Sequence, residues 1–174
     1  MEVAKMRSLL ISLISLFVVC VHAGDSSTEV RVKGSSTTIY IDQIGSGNTA
    51  RVWCGLSEGT YTTHNCSNAT IDIDQDGTGN TARAYSQVAN HTGNEYKIDQ
   101  DGNDNFGYID ADDDSNDMDV IQDGDDNDAT IYMQGDDNVY RITQTGNDKE
   151  GEIRAFGDDS EFTITQSGSG EHYA

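Results

Sequence analysis

Cations are scarce in this chain: 10 Lys and Arg stand against 31 Asp and Glu in 174 residues. Two of them, Lys5 and Arg7, precede the single long apolar run, Leu9 to Val19, and Val21-His22-Ala23 follows it. That order predicts a secretory signal peptide over 1–23, because the run is too short for a comfortable membrane span. Without Glu2, Lys5 and Arg7 the balance becomes 8 − 30 = −22. Such a surface repels nucleic acid and anionic membrane, both of which are bound through cationic patches. The sequence therefore predicts an exported, soluble chain with no nucleic-acid partner and no membrane insertion.

Cysteine is nearly as sparse. Cys20 falls inside the predicted signal peptide, and Val19 before it is a poor match to the small residue that a lipoprotein anchor needs. Cys54 and Cys66 remain, and an even pair in an exported chain suggests a disulfide. It would pinch the eleven residues 55–65 at their base. His64, His91 and His172 show no metal-ligand spacing, and no unlike reactive groups converge, so neither an enzyme nor a metal or cofactor site is predicted.

Acidity with few aliphatic residues ordinarily reads as disorder. Here the apolar residues fall at regular places, and that regularity overrules composition. From Thr37 to Ala174 one unit recurs six times, clearest as Ser160-Glu161-Phe162-Thr163-Ile164-Thr165-Gln166-Ser167-Gly168. Its markers are Gln43, Gln75, Gln100, Gln122, Gln144 and Gln166, each followed two residues later by Gly45, Gly77, Gly102, Gly124, Gly146 and Gly168. The last three intervals are 22 residues, and insertions stretch the first two to 32 and 25. A fixed period of this length means a stacked repeat.

Residues two apart share a face of a strand. On the glutamine's face lies the apolar column Ile41, Ile73, Ile98, Val120, Ile142, Ile164, preceded by Ile39, Ile71, Tyr96, Met118, Tyr140, Phe162. Positions between them are mostly polar, so each unit opens with a strand buried on one face. After a glycine turn a second strand follows: Asn48, Ala50, Val52; Asn80, Ala82, Ala84; Asn105, Gly107, Ile109; Asn127, Ala129, Ile131. One hairpin cannot bury its face alone, so the units must stack, about 4.8 Å apart, into two parallel ladders around a thin core. The predicted fold is all-β: a β-solenoid of six strand-turn-strand repeats.

Stacking also accounts for glutamine on the inside. A lone buried amide is costly, whereas identical amides one rung apart donate to and accept from each other. The asparagines are expected to do the same, although their column ends Lys149, Glu171. Outside, Tyr40, Asp72, Lys97, Asp119, Arg141, Thr163 alternates in sign, so neighbouring rungs attract. The column Asp42, Asp74, Asp99 does the opposite, at roughly 1 kcal/mol per like-charge contact in water.

The stretch Asp72-x-Asp74-x-Asp76-Gly77 matches the opening of an EF-hand calcium loop, but Arg83 occupies the twelfth position where a bidentate acid is required. Outward strand positions are the simpler reading. Residues 24–36 form a polar lead-in whose one alternation, Val30-Arg31-Val32, fits either an extra strand or a recognition tail.

The run Gln-x-Gly-x-Gly-Asn-x-Ala, intact at Gln43 to Ala50 and again at Gln75 to Ala82, resembles the curlin repeat of bacterial curli subunits. Gln122-Asp123-Gly124-Asp125-Asp126-Asn127-Asp128-Ala129 is a degenerate copy, and the resemblance covers about 37–174, with 55–65 as an insertion. It implies a fibre subunit, major or minor, that forms a cross-β homopolymer outside the cell for adhesion and biofilm matrix. It further implies a nucleator or partner subunit, an outer-membrane secretion pore and a periplasmic chaperone. The family's second glutamine is replaced here by Cys54, Ser86, Ala111, Met133 and Ala155. Neither end carries a recognisable polar cap, so each terminal rung offers backbone groups to another copy, a head-to-tail contact that never closes. The alternative is a monomeric secreted solenoid, a binding module or calcium-responsive adhesin segment.

Overall fold

Alternation at period two is the pattern the repeats keep, and strand is what it builds. The computed structural model describes residues 9–11, 26–32, 37–54, 66–86, 91–111, 117–135, 138–157, 159–170 and 172–173, and no helix occurs among them. Every strand pair described is parallel, and the chain winds as a β-solenoid of about five turns.

The first ladder holds six strands in the order of the chain: Thr38–Ser46, Thr70–Thr78, Glu95–Asn103, Asp117–Asp123, Val139–Thr145 and Glu161–Ser167. We number the rungs one to six by these strands. Their register superposes Gln43, Gln75, Gln100, Gln122, Gln144 and Gln166 without a slip. A slip of one residue would turn every apolar side chain outward, so the buried columns pin the register. The unequal spacing of the first repeats is taken up between rungs, where Cys66–Ser67 pairs with His91–Thr92. The insertion 55–65 lies outside the described residues.

The second ladder runs Leu9–Ile11, Ser27–Val32, Thr49–Val52, Thr81–Ser86 and Ile109–Ala111. Beyond these it continues as single bridges, Phe106 to Asp128 and Asp128 to Glu150, and as short pairs of Met133–Gln134 with Ala155–Phe156 and Lys149–Glu150 with His172–Tyr173. Its hydrogen bonds persist through that stretch, as in Ala129 N–H to Phe106 C=O at 2.9 Å and Ile153 N–H to Thr130 C=O at 3.2 Å. Absence of proline leaves no ladder position without a donor.

The lead-in's ambiguity resolves as strand: Ser27–Val32 pairs with Thr49–Val52 and buries Val30 and Val32. Leu9–Ile11, inside the predicted signal peptide, takes the next place along the same ladder, with Leu9 opposite Val30.

Between the ladders lies a core one side chain thick. Ile41, Ile73, Ile98, Val120 and Ile142 are at most 1% exposed and face Ala50, Ala82, Ala129, Ile109 and Ile131, all fully buried. The alanines Ala50, Ala82 and Ala129 opposite the large apolar column keep the two sheets close there. Phe162 in rung six is 45% exposed, because no described strand covers its far side.

The turns set the tightest limit. Gly77 has φ +127°, and a Cβ there would lie 1.8 Å from the Gly102 carbonyl oxygen of the next rung. Gly168 has φ +100° but nothing within 4 Å. Gly168→Ala should therefore cost only backbone strain, about 1–3 kcal/mol. Gly77→Ala should cost distinctly more, as read from urea midpoints of the two variants.

Candidate functional site

Each marker glutamine closes a first strand with its amide turned inward. Gln43 Nε2 donates to Gln75 Oε1 at 2.7 Å, Gln75 to Gln100 and Gln100 to Gln122 at 2.8 Å, Gln122 to Gln144 and Gln144 to Gln166 at 2.9 Å. The amide has a second N–H, and this one crosses the core. Gln75 reaches the Thr49 carbonyl and Gln100 the Thr81 carbonyl at 3.2 Å, Gln122 the Phe106 carbonyl at 3.0 Å, and Gln144 the Asp128 and Gln166 the Glu150 carbonyls at 2.7 Å. One side chain thus joins neighbouring rungs and also joins the two ladders. Two donors and one acceptor on a planar group are required, which glutamate and leucine lack.

The crossing also explains the small residues opposite. At Gly107 a Cβ would meet Ile98 Cγ2 at 3.0 Å and Gln100 Nε2 at 3.3 Å, and at Gly151 it would meet Gln144 Nε2 at 3.3 Å. At the N-terminal end the Thr28 hydroxyl donates to Gln43 Oε1, so the first amide of the stack has a partner on the lead-in strand. No motif marks Thr28 in the sequence; only its register opposite Ala50 places it inward.

The asparagines act differently from the expectation. Asn48, Asn80, Asn105 and Asn127 accept, through Oδ1, the backbone N–H of the next rung's residue in the same column at 3.0–3.1 Å. Their Nδ2 groups mostly donate to turn carbonyls, as in Asn80 to Gly102 at 2.8 Å and Asn105 to Gly124 at 2.6 Å. Asparagine is one methylene shorter than glutamine, so its amide stays beside the backbone; only Asn127 also reaches its neighbour's side chain, Asn105 Oδ1, at 3.0 Å. Lys149 takes the next place, fully buried, and its ammonium donates to the Asn147 and Gly170 carbonyls.

Sequence reasoning missed a third stack at the turn tips. Thr78 N–H donates to Asn103 Oδ1, Asn103 N–H to Asp125 Oδ1 and Asp125 N–H to Asn147 Oδ1, at 2.9–3.1 Å. The signal was present in the acids and amides that follow each turn glycine. It looked like ordinary turn composition.

On the outer face of the first ladder Arg141 pairs with Asp119 of the rung below at 2.7 Å. Lys97 instead turns to Asp99, two residues along its own strand, at 3.1 Å. There it neutralises one member of the Asp42, Asp74, Asp99 column. Burial, then Asp99, Asp42 and its other acidic neighbours raise the Asp74 carboxyl above its ordinary value of 3.8. Asp72 is likewise raised, by burial foremost, with Lys97 opposing. Asp72, Asp74 and Asp76 lie along one extended strand, Thr70–Thr78, in a line and not around a point.

Cys54 lies two residues past the strand Thr49–Val52 at φ 44°, is buried and is disulfide-bonded. Cys66 begins the short strand that leads into rung two.

Residues 114–146, which include rung four and the first strand of rung five, match the family model described as curlin associated repeat. That segment is similar to a curlin repeat. No curated protein and no solved structure matches the chain. The matched curlin segment holds Gln122, Gly124, Asn127 and Gln144, so the glutamine and asparagine stacking just described runs through it. Curlin repeats belong to a structural rather than a catalytic family; in this chain the buried glutamine amides bond to the rung beside them and to the opposite ladder.

Gln100→Glu replaces two donors by a buried charge and should destabilise the solenoid by roughly 3–5 kcal/mol at pH 7. The new carboxyl, desolvated and facing acceptors, has a raised pKa. Its neutral form fits better, so urea midpoints should recover as pH falls. A Cys54–Cys66 bond predicts a 2 Da mass gain on reduction, about one proton per thiol, and a tryptic peptide pair that separates.

Proposed function

We propose that this chain is the structural subunit of an extracellular, curli-like amyloid fibre that grows head to tail and serves cell adhesion and biofilm matrix. One observation carries the reading: rung six repeats the buried columns of the interior but leaves them open. Phe162 is 45% exposed and Ile164 half-buried, whereas the same columns within the stack are at most 1% exposed. At the opposite end the first strand, Thr38–Ser46, has a described partner on one side only.

Setting rung one of a second copy on rung six continues each column. Ile39 would land on Phe162, Ile41 on Ile164 and Gln43 on Gln166. Ile39, Ile41 and Gln43 are fully buried in the single chain, so rung one must be uncovered before the joint can repeat the spacing and side-chain chemistry of the interior. The Gln43 carbonyl has two lone pairs, enough for both Thr28 and an incoming amide. The Tyr140 and Phe162 rings already stack at 5.6 Å with planes 11° apart. Because the two ends differ, the contact is heterologous, and without rotation back to the start it yields a filament.

By its likeness to the curlin family the chain would leave through the periplasm, held by a chaperone, cross an outer-membrane secretion pore and meet a nucleator or partner subunit at the cell surface. The signal peptide over 1–23 and export of 24–174 belong to the same proposal. No catalytic role is assigned.

Incubated mature chain should form unbranched filaments by electron microscopy, with diffraction at the strand spacing of about 4.8 Å. A protein that stays monodisperse would instead be a secreted binding module. Assembly should also depend on pH. Asp74 and Asp72 have raised values in the stacked state, so the proton favours that state. Their contribution is fully present below 3.8 and is lost as pH rises through the raised values. Lag times should shorten on acidification from pH 7, and Asp74→Asn should shorten them at pH 7 and flatten the profile.

A further inference from the structure

The two outer faces of the solenoid carry opposite charge at the same height. On the first ladder, Asp42, Asp74 and Asp99 are superposed by the strand register. On the second ladder, Arg51 lies in register with Arg83. Rung one therefore has Asp42 on one outside and Arg51 on the other, and rung two has Asp74 and Arg83. Each column opposes like charges across one strand spacing, at a cost on the order of 1 kcal/mol per contact in water.

Glu29 of the lead-in strand stands in register opposite Arg51, but its carboxylate pairs with Arg31 instead. Among the described residues Arg31 pairs with Glu29 and Arg154 with Glu152, but no ion pair involves Arg51 or Arg83. Aromatic rings instead hold this face in place. Arg83 lies over Phe106 at 5.1 Å and Arg31 over Trp53 at 5.4 Å, while Trp53 and Tyr85 pack with centroids 4.0 Å apart. A guanidinium already settled on a ring loses less freedom when it takes a carboxylate partner. Among the described residues Lys97, through Asp99, offsets the acidic column.

Resting on the fibre reading above, we propose that the Arg51 and Arg83 face docks the Asp42, Asp74 and Asp99 face of a second copy, so that fibres running the same way associate side by side. Both columns rise by one strand spacing per rung, so two parallel fibres in register bring every arginine level with a carboxylate. The contact relieves both repulsions at once. It is heterologous and leaves one face of each sign free, so it builds bundles and not closed pairs. It is also screened by salt, whereas backbone ladders along the fibre are not.

The test compares preformed filaments of the full mature chain. Wild-type filaments should bundle at low ionic strength and separate into single filaments at high ionic strength, by electron microscopy and turbidity, with fibre mass unchanged. R51E/R83E filaments should stay single at low salt, as should D42R/D74R filaments. Mixing those two preformed populations should restore bundles, since each acquires the face the other needs. Bundles of unchanged width in R51E/R83E would overturn the proposal. So would restoration by D128R/E150R, which would place the partner on the same face, or single wild-type filaments that bind dextran sulfate through Arg51 and Arg83, which would assign the face to a polyanion. If no filament forms, the fibre reading fails separately, and the lateral contact is read by sedimentation velocity. It then requires a salt-sensitive self-association that R51E/R83E abolishes, and a monomer at every salt concentration sinks it.

Discussion

Parallel, in-register stacking places each side chain of a rung against its counterpart one strand spacing away, and every other property of this protein follows from that constraint. A residue is tolerated according to how it meets a copy of itself. Isoleucine on isoleucine excludes water. Glutamine on glutamine satisfies donor and acceptor in turn. Aspartate on aspartate repels, and burial sharpens the effect at Asp74.

The same constraint explains why the two ladders differ in regularity. The first carries the apolar columns and the glutamines, and it keeps strict register through all six strands. The second is bound to the first by the cross-core amide bonds as well as by its own ladder, so it remains attached where its outward residues turn acidic at Asp128 and Glu150. There the strands shorten to bridges while the backbone hydrogen bonds persist. A solenoid with only one interior glutamine column therefore keeps both walls, because the amide that remains serves two directions.

An open end, a charged flank and a thin core are three views of the same economy. Twenty-two-residue rungs are too short to enclose a globular interior, and burial comes from neighbours along the axis. Where the stack stops, Phe162 and Ile164 meet solvent; where the columns face outward, charges accumulate by repetition. Repetition makes every local surplus, apolar or ionic, a continuous stripe.

What the sequence by itself determined was the set of positions that recur: the glutamine and glycine markers, the apolar columns and the two-strand rung. These are legible because period two fixes a face and a constant interval fixes superposition, both of which are properties of the chain alone. Tertiary structure decided which atoms meet. Only there do the second N–H of Gln100 find the Thr81 carbonyl, Asn80 accept a backbone N–H instead of joining an amide chain, Thr28 reach Gln43, and Lys97 prefer Asp99 of its own strand. Those choices depend on the distance between ladders and on side-chain length to within one methylene. A pattern of residue types carries no such distances.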